Sequence, residues 1–222
     1  MLLAIDTSTS WISLALYDGF SVRYEITWQS KYHHTVELAP AIEQLFRRTG
    51  TSPQDLTGLV VALGPGSFTS LRIGLAAVKG ISLALKLPVA GIPSLDVVAA
   101  AQPLDERPLL AVLHAGRTRL ACGEYKVEGD SWVRKTAPEV IDPKDLVKTI
   151  TKPTLVCGEL SEDARMIIGR RWKNANIVSP AKSLRRGGFL AELGWKRLED
   201  GGADDPVSLA PIYLSTSTAI PA

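Results

Sequence analysis

Residues 59–88 read LVVALGPGSFTSLRIGLAAVKGISLALKLP, and the rest of the chain can be placed around them. The apolar run Leu59–Leu63 is short and contains β-branched residues, which predicts a buried strand. The loop Gly64-Pro65-Gly66 turns the chain sharply, and the hydroxyl residues after it can cap a helix. That helix is predicted from about Ser70 to Leu85. Together the strand, loop and helix indicate an α/β fold.

The predicted helix at residues 70–85 has two apolar or small faces. A surface helix needs one apolar stripe, so two stripes favour packing on its own sheet and also on a second body. Small residues along it allow another helix to approach closely. Burial between two layers of one domain explains the same pattern, and both interpretations stay open at this point. One face carries Leu71, Leu75, Val78, Ser82 and Leu85, and the other carries Ile73, Ala77, Gly80 and Ala84.

Composition excludes several classes of protein. The 222 residues are 45% hydrophobic, which is typical of a globular protein. The formal net charge is +2, whereas a protein that binds nucleic acid strongly through its own phosphate contacts is usually much more basic. The two cysteines, Cys122 and Cys157, are far apart and lie in apolar runs, so neither a disulfide nor a metal site is expected. We find no signal-peptide core and no apolar window long enough to span a membrane, which predicts a cytoplasmic protein.

The order strand, strand, strand, helix, strand, helix is predicted twice. It occupies residues 1–102 and again residues 103–214, after a proline-flanked joint, and residues 215–222 are predicted to be a flexible tail. The halves share no visible sequence identity, so the predicted duplication is one of topology. The first turn of each half, Asp6-Thr7-Ser8 or His114-Ala115-Gly116, is expected to face the other half across a cleft that can hold a nucleotide phosphate.

Candidate chemistry is sparse. Asp6 could coordinate magnesium while Thr7 and Ser8 bind phosphate, although a polar β-turn uses the same residues and no glycine follows them. The pair His33-His34 with Glu37 lacks a third ligand nearby, so histidines in solvent or near a helix cap are favoured over a metal site. The glycine loop has neither the Gly-x-Ser-x-Gly pattern nor the lysine of a Walker loop. We therefore predict no catalytic residue and no metal site.

Five segments of the chain carry a family likeness, namely Ile5-Asp6-Thr7-Ser8, His34-Thr35-Val36-Glu37-Leu38-Ala39-Pro40, Gly64-Pro65-Gly66-Ser67-Phe68-Thr69-Ser70-Leu71-Arg72-Ile73-Gly74, Ala77-Val78-Lys79-Gly80 and Pro211-Ile212-Tyr213-Leu214. They resemble the TsaB (YeaZ) family of bacterial tRNA threonylcarbamoyladenosine biosynthesis proteins. The likeness spans nearly the whole chain and is most specific in the glycine loop and the start of its helix. It implies two tandem actin-like, ribonuclease H-like ATPase subdomains in an α/β fold, related to sugar kinases.

The resemblance also implies a function. The expected role is that of a non-catalytic subunit that binds the related protein TsaD, with TsaE joining them, and that forms a homodimer when alone. The complex transfers threonylcarbamoyl from its adenylate to the adenosine next to the anticodon of tRNAs that read codons beginning with A. This chain would meet tRNA only through the complex. It would need no cofactor of its own, although ATP or ADP with magnesium could bind weakly or at the interface.

Site residues follow from the resemblance in the same way. TsaD carries a His-x-x-x-His metal pair where this chain has Ser94 and Val98, which argues against independent catalysis. His114, and Cys157-Gly158-Glu159-Leu160, depart from the family pattern and weaken the case for a nucleotide pocket. The alternative function is an autonomous Mg-ATP-dependent phosphotransferase or hydrolase that uses Asp6. The predicted partner interface comprises Leu38, Ile42, Leu45, Phe46, Leu71, Ile73, Gly74, Ala77, Val78, Gly80 and Ile81.

Overall fold

The strand, loop and helix predicted at residues 59–88 are present in the computed structural model. The strand covers Gly58–Ala62 and the helix covers Phe68–Leu85, so the helix begins two residues earlier than predicted. Ser67 caps the helix, because its side chain accepts a hydrogen bond from the amide of Ser70. The structure describes residues 1–31, 33–116, 118–171 and 173–214.

The chain divides into two compact units. Unit 1 contains Met1–Val97 and Arg185–Ile212, and unit 2 contains Val98–Leu184 and, at the end of the described residues, Tyr213 and Leu214. The elements up to the end of unit 1's first segment are β1 (Leu2–Asp6), β2 (Trp11–Tyr17), β3 (Val22–Gln29), α1 (His34–Thr49), β4 (Gly58–Ala62), α2 (Phe68–Leu85), β5 (Val89–Ile92) and α3 (Ser94–Ala100), which runs past the division between the units.

Unit 1 is built on a five-stranded sheet in the order β3-β2-β1-β4-β5. β1 and β2 pair antiparallel, as do β2 and β3, whereas β4 pairs parallel with both β1 and β5. β1 and β4 are buried at every position, because helices cover both faces of the sheet. Such strands show continuous apolar runs rather than alternation, as the sequence does here.

Unit 2 repeats this topology. Its sheet has the order β11-β10-β6-β7-β8, with β9 paired to β7. The predicted duplication is therefore confirmed, while β9 and β11, of three residues each, are strands that the sequence did not predict. The elements are β6 (Leu109–His114), β7 (Leu120–Glu128), β8 (Ser131–Arg134), β9 (Glu139–Ile141), α4 (Pro143–Thr149), β10 (Thr154–Gly158), α5 (Glu162–Gly169) and β11 (Ala175–Ile177).

The last helix, α6 (Gly187–Glu199), corrects the predicted extent of the second subdomain, and the first division lies between Val97 and Val98 rather than between residues 102 and 103. The helix packs on β1, β2, β4 and β5, so the segment Arg185–Ile212 belongs to unit 1 rather than to a second subdomain of residues 103–214. Glycine permits this close packing, since a Cβ at Gly194 would overlap the side chain of Val60. The tail predicted at residues 215–222 lies outside the described residues.

The opposite face of unit 1's sheet is covered by α1 and α2. Contrary to the sequence-based expectation of no such window, α2 has the length and mean hydropathy of a membrane span, 18 residues at 1.4, by length and composition only, and 33% of it is buried. Its buried side packs on β1 and β4, as the core helix of a globular unit does. Of the two apolar faces that the sequence pattern indicated, one therefore lies in the core and the other lies outside it.

Candidate functional site

The residue that was predicted to bind magnesium, Asp6, ends β1 at the start of the turn and is already paired. Asp6 Oδ2 accepts a hydrogen bond of 2.8 Å from Nε of Arg185, and both side chains are 1% exposed. Asp6 Oδ1 accepts from the amide of Ser8, also at 2.8 Å. Arg185 Nη2 further donates to Thr9 Oγ1 at 2.9 Å. The guanidinium thus neutralises the carboxylate and ties the turn to the segment that precedes α6.

The hydroxyl groups of the turn are also engaged within unit 1. Thr7 Oγ1 donates to the carbonyl of Ser70 at 2.7 Å. Ser8 Oγ lies 2.5 Å from Ser94 Oγ, which accepts a hydrogen bond of 3.0 Å from the amide of Gly64. Thr7 and Ser8 are buried. The turn is therefore joined to the start of α2, to the glycine loop and to α3.

Two glycines make this packing possible. A Cβ at Gly66 would overlap the carbonyl oxygen of Ser8, and a Cβ at Gly74 would overlap Thr7 Oγ1. Any other residue at either position would push the loop or α2 away from the turn. Gly66 thus lies against the backbone of the turn, and Gly74 lies against the Thr7 side chain, where a phosphate was expected.

Ser94 and Val98, which the family resemblance matched to a histidine pair, have structural roles in this chain. Ser94 is fully buried and bridges Ser8 to Gly64. Val98 is 1% exposed. A polar bridge and an apolar side chain together offer no imidazole to a metal.

The histidines near α1 anchor that helix. His34 is buried, and its Nε2 donates to the carbonyl of Thr9 at 2.8 Å, so it is cap-proximal but not in solvent. Glu37 Oε2 accepts a hydrogen bond of 2.9 Å from Trp28 Nε1, which lowers the pKa of Glu37. His33 Nδ1 lies 3.9 Å from Glu37 Oε1. Among the described residues, no group of three or more His, Cys, Asp or Glu side chains is placed to hold a metal ion.

Unit 2 offers little reactive chemistry at the positions singled out from the sequence. Burial raises the pKa of the Cys122 thiol to about 12, and it raises the pKa of Cys157 as well, so both thiols stay protonated and unreactive. His114 is exposed at the end of β6. Gly158 has a φ of +114°, and a Cβ there would overlap the carbonyl oxygen of Val112.

The structure separates the predicted interface residues into two groups. Six of them are buried in unit 1, namely Leu38, Leu45, Phe46, Leu71, Gly74 and Val78. Of these, Phe46 also lines a surface groove, and the other five cannot contact a partner without a rearrangement. These are corrections to the predicted surface, because the apolar period identified the side of each helix that faces its own sheet. The remaining five are partly or fully exposed, namely Ile42, Ile73, Ala77, Gly80 and Ile81.

Other apolar residues on the same two helices are exposed and were missed. Phe68 and Leu83 of α2 are 54% and 84% exposed, and Val36 of α1 is 66% exposed. The guanidinium of Arg72 lies 3.8 Å from the centre of the Phe68 ring. The helical period could have found the exposed residues of α2, since Phe68, Arg72 and Gly80 recur at multiples of four positions. We call the exposed side of α2, including its small residues, the α2 face.

Beside the α2 face, a groove of about 460 Å³ lies where α1 and the loop after it meet α2. It contains three of the predicted interface residues, including the otherwise buried Phe46. The lining residues are Ala39, Ile42, Glu43, Phe46, Arg47, Gly50, Thr51, Pro53, Leu56 and Ile81. An apolar groove continuous with an exposed apolar helix is typical of a surface that contacts another protein.

Comparisons with known proteins agree with this architecture. A family model described as "tRNA N6-adenosine threonylcarbamoyltransferase", TsaD, matches residues 27–178. The chain is 29% identical over 223 residues to "tRNA threonylcarbamoyladenosine biosynthesis protein TsaB" of Bacillus subtilis, covering 98% of this chain and 95% of that protein. It is 30% identical over 146 residues to the protein of the same name from Escherichia coli, covering 64% and 63%.

A solved structure gives the fold. The structure named "YeaZ from Pseudomonas aeruginosa" superposes with a TM-score of 0.80 at 22% identity, over 96% of this chain and 99% of that one. The two tandem actin-like subdomains predicted from the sequence are thereby confirmed as the fold class. The chain belongs to the tRNA N6-adenosine threonylcarbamoyltransferase (TsaD) family and, within it, to the TsaB (YeaZ) group of tRNA threonylcarbamoyladenosine biosynthesis proteins.

Proposed function

We propose that this chain is a non-catalytic subunit that binds TsaD in the cytoplasm and thereby supports threonylcarbamoyl transfer to tRNA. The complex takes the group from its adenylate and places it on the adenosine next to the anticodon of tRNAs that read codons beginning with A. TsaE joins the complex, and tRNA is modified by the partner. The observation that carries the proposal is the pairing of Asp6 with Arg185 at 2.8 Å, because it occupies the only carboxylate of the candidate phosphate turn.

The absence of a free carboxylate in the candidate phosphate turn supports the non-catalytic role. Magnesium binds oxygen ligands and keeps several waters, whereas Asp6 is 1% exposed and already holds a cationic side chain. Releasing the carboxylate would leave Arg185 buried without its counter-ion, which is strongly unfavourable. Any ATP or ADP in the complex would then be held weakly, or at the interface, by groups other than Asp6.

The α2 face is the proposed contact with TsaD. TsaD is related to this chain by the family model over residues 27–178, which include all of α1 and all of α2. A related partner would present a similar pair of helices, so the two pairs can pack as a four-helix interface. Without TsaD, two copies of this chain would use the same face in an isologous dimer.

Exposed side chains supply the driving force for this contact. Phe68, Leu83 and Val36 leave much of their apolar surface in water. Full burial of a side chain of this kind stabilises by about 1.5–3 kcal/mol, so the three together contribute several kcal/mol against the cost of association. Arg72, stacked on Phe68, adds a cation that a carboxylate of the partner can approach.

Gly80→Arg tests the contact without disturbing the fold. Gly80 is exposed, and no atom lies within 4 Å of a Cβ built on it, so the new side chain has room in the free protein. On the α2 face it would block a neighbouring helix. We expect co-purification with TsaD to be lost while the thermal midpoint of the free chain stays the same or rises.

The matched control is Gly169→Arg, which makes the same change in a helical glycine of unit 2, where the nearest atom is 3.8 Å from the built Cβ. It should retain TsaD. Capture of TsaD by Gly80→Arg as well as by the wild type would refute the proposed interface.

Calorimetry tests the alternative, an autonomous Mg-ATP-dependent phosphotransferase or hydrolase. We expect the free chain to show neither tight Mg-ATP binding nor turnover. Tight binding that disappears in Asp6→Ala, with the fold of the variant verified by circular dichroism, would favour the enzyme instead.

A further inference from the structure

The two outermost strands of unit 1's sheet, β3 and β5, differ in what lies beside them. β5 has four residues, and the segment after α6 covers it through a bridge between Val89 and Asp204. β3 has eight residues and pairs with β2 on its inner side. Among the described residues, no segment pairs with the outer side of β3. Unpaired backbone groups along an outermost strand are a template for another strand.

The ladder between β2 and β3 fixes which backbone groups of β3 point outward. The amide of Ser30, the residue after β3, donates to the carbonyl of Ser10 at 2.7 Å and continues the register of the ladder. Hydrogen-bonded positions alternate along an antiparallel pair. Glu25, Thr27 and Gln29 therefore direct their N–H and C=O groups away from β2, and nothing in the described part of the chain pairs with these groups. We call this side of β3 the β3 edge.

The side chains between these positions form an apolar row on the side of β3 that faces α1. Tyr24, Ile26 and Trp28 are each partly buried and pack against the core cluster that includes Leu38 and Leu45 of α1. Because β3 is an outermost strand, their outer flanks keep some apolar surface in water. A strand along the β3 edge would cover that surface, and cross-strand pairs of apolar side chains stabilise a sheet.

We propose that the β3 edge pairs antiparallel with the β3 edge of a second copy of this chain, about a twofold axis at Ile26. The outward backbone groups of Glu25 then exchange hydrogen bonds with those of Thr27 of the second copy, and the reverse. Ile26 lies opposite Ile26, and Tyr24 lies opposite Trp28 of the second copy. These are the closer, non-hydrogen-bonded positions, where side chains contact each other best.

The pattern of side chains favours this axis over the neighbouring ones. An axis at Glu25 would set two carboxylates opposite each other, which is destabilising. An axis at Thr27 would set Tyr24 opposite Ser30 and lose an aromatic pair. The axis at Ile26 gives every member of the apolar row an apolar neighbour. A strand that complements itself in this way matches a second copy in an isologous contact.

The β3 edge is separate from the α2 face. α2 packs on β1 and β4, whereas β3 lies beyond β2 in the sheet. Gly80→Arg therefore blocks the α2 face as a contact between copies and leaves the β3 edge intact. Sedimentation velocity over a dilution series should show the Gly80→Arg chain in a monomer–dimer equilibrium, and a monomer at every concentration would overturn the proposal.

Cysteine cross-linking in the Gly80→Arg chain tests the register. In Ile26→Cys the thiols of two copies lie opposite each other, so copper phenanthroline should oxidise them to a disulfide and give a covalent dimer. The matched control is Gln29→Cys, whose side chain is more exposed but lies about 20 Å from its copy along the paired strands. The native Cys122 and Cys157 are buried and should not react. Equal cross-linking in both variants, or none in Ile26→Cys, would overturn the proposal.

A backbone substitution at the centre of the β3 edge gives a second test. Thr27→Pro removes an outward amide, and its ring obstructs the second strand, while the ladder with β2 keeps its hydrogen bonds. Thr27→Ala is the matched control, because both variants lose the 2.7 Å hydrogen bond between Thr27 Oγ1 and Ser13 Oγ. With folding verified by circular dichroism, Thr27→Pro should weaken the dimer by at least about tenfold and Thr27→Ala by less than about threefold. Equal dissociation constants for the two variants would contradict pairing through β3.

Capture of TsaD decides the proposed function, whereas cross-linking decides this inference. Ile26→Cys and Thr27→Pro should both still capture TsaD, because their substitutions lie outside the α2 face. If the wild-type chain captures no TsaD, the proposed function fails, and Ile26→Cys still shows whether β3 pairs with itself.

Discussion

Gly74 and Gly80 lie six residues apart in one helix and have opposite surroundings. Gly74 is buried against the turn after β1, where a Cβ would overlap Thr7 Oγ1, whereas a Cβ on Gly80 would meet nothing within 4 Å. The same residue type therefore serves two purposes in α2. On the buried side it lets the helix approach the turn, and on the exposed side it leaves the α2 face open to a partner.

The largest expected loss of stability comes from removing Arg185, which pairs with Asp6 beside the turn that the buried side of α2 contacts. In Arg185→Ala the carboxylate of Asp6 keeps its buried position without its counter-ion, which lowers the free energy of unfolding by about 3–5 kcal/mol. Urea denaturation measures the change. The adjacent Arg186 pairs with Glu25 with a half-exposed side chain, so Arg186→Ala should cost no more than about 1 kcal/mol. Similar small losses in both variants would show that the buried pair does not hold the turn.

Gly74→Ala should lower the free energy of unfolding by about 1–3 kcal/mol, because the added methyl group overpacks the contact with Thr7. Denaturation of Thr7→Ala, Gly74→Ala and the double variant forms a mutant cycle. The double variant should lose less than the sum of the single losses, since Thr7→Ala removes the atoms that the methyl group meets. Additive losses would mean that the Thr7 side chain does not limit how closely α2 approaches the turn.

Gly80→Ala should change the free energy of unfolding in the opposite direction and by a smaller amount. The position is exposed and sterically open, so the gain in helix propensity should raise the free energy of unfolding by about 1 kcal/mol. The same denaturation series measures it beside Gly74→Ala. A loss of stability would show that Gly80 has a contact in solution that the structure of the single chain lacks.

The sequence predicted the period of α2 but not which of its sides was free. Leu71, Leu75 and Val78 mark an apolar stripe, and that stripe faces the sheet. Assigning part of it to a partner was wrong because a helix on a sheet buries its most regular apolar side first. The helical period also places Phe68 and Gly80 on the remaining side, but it does not say which of the two sides the sheet covers.

The candidate turn shows a different limit. Asp6 stood out as a polar residue after a buried strand, but it is the last residue of that strand and not the first of the turn. Its partner Arg185 is 179 residues away in sequence, and no local pattern indicates that pairing. For the same reason the return of α6 to unit 1 was missed, although its three buried glycines are the residues that allow close packing on a sheet. Contacts between distant segments decide both features, whereas propensity and period decide helices and strands.

The smallest expected effect concerns the way α1 is held beside the α2 face. The hydrogen bond from Trp28 Nε1 is the largest cause of the lowered pKa of Glu37. A carboxyl whose pKa is lowered in the folded protein contributes stability above its ordinary range, and this contribution is lost as pH falls through the folded pKa. In Trp28→Phe the pKa of Glu37 should therefore rise toward its ordinary value, and the variant should lose less stability than the wild type on acidification.

Carboxyl ¹³C NMR titration measures the pKa of Glu37. Asp55 is the internal control, since the backbone amide of Ser52 lowers the pKa of Asp55 independently of Trp28. An unchanged titration of Glu37 in the variant would mean that this bond does not anchor α1 in solution, and the exposed residues of α1 would then belong to a mobile surface rather than to one held beside the α2 face.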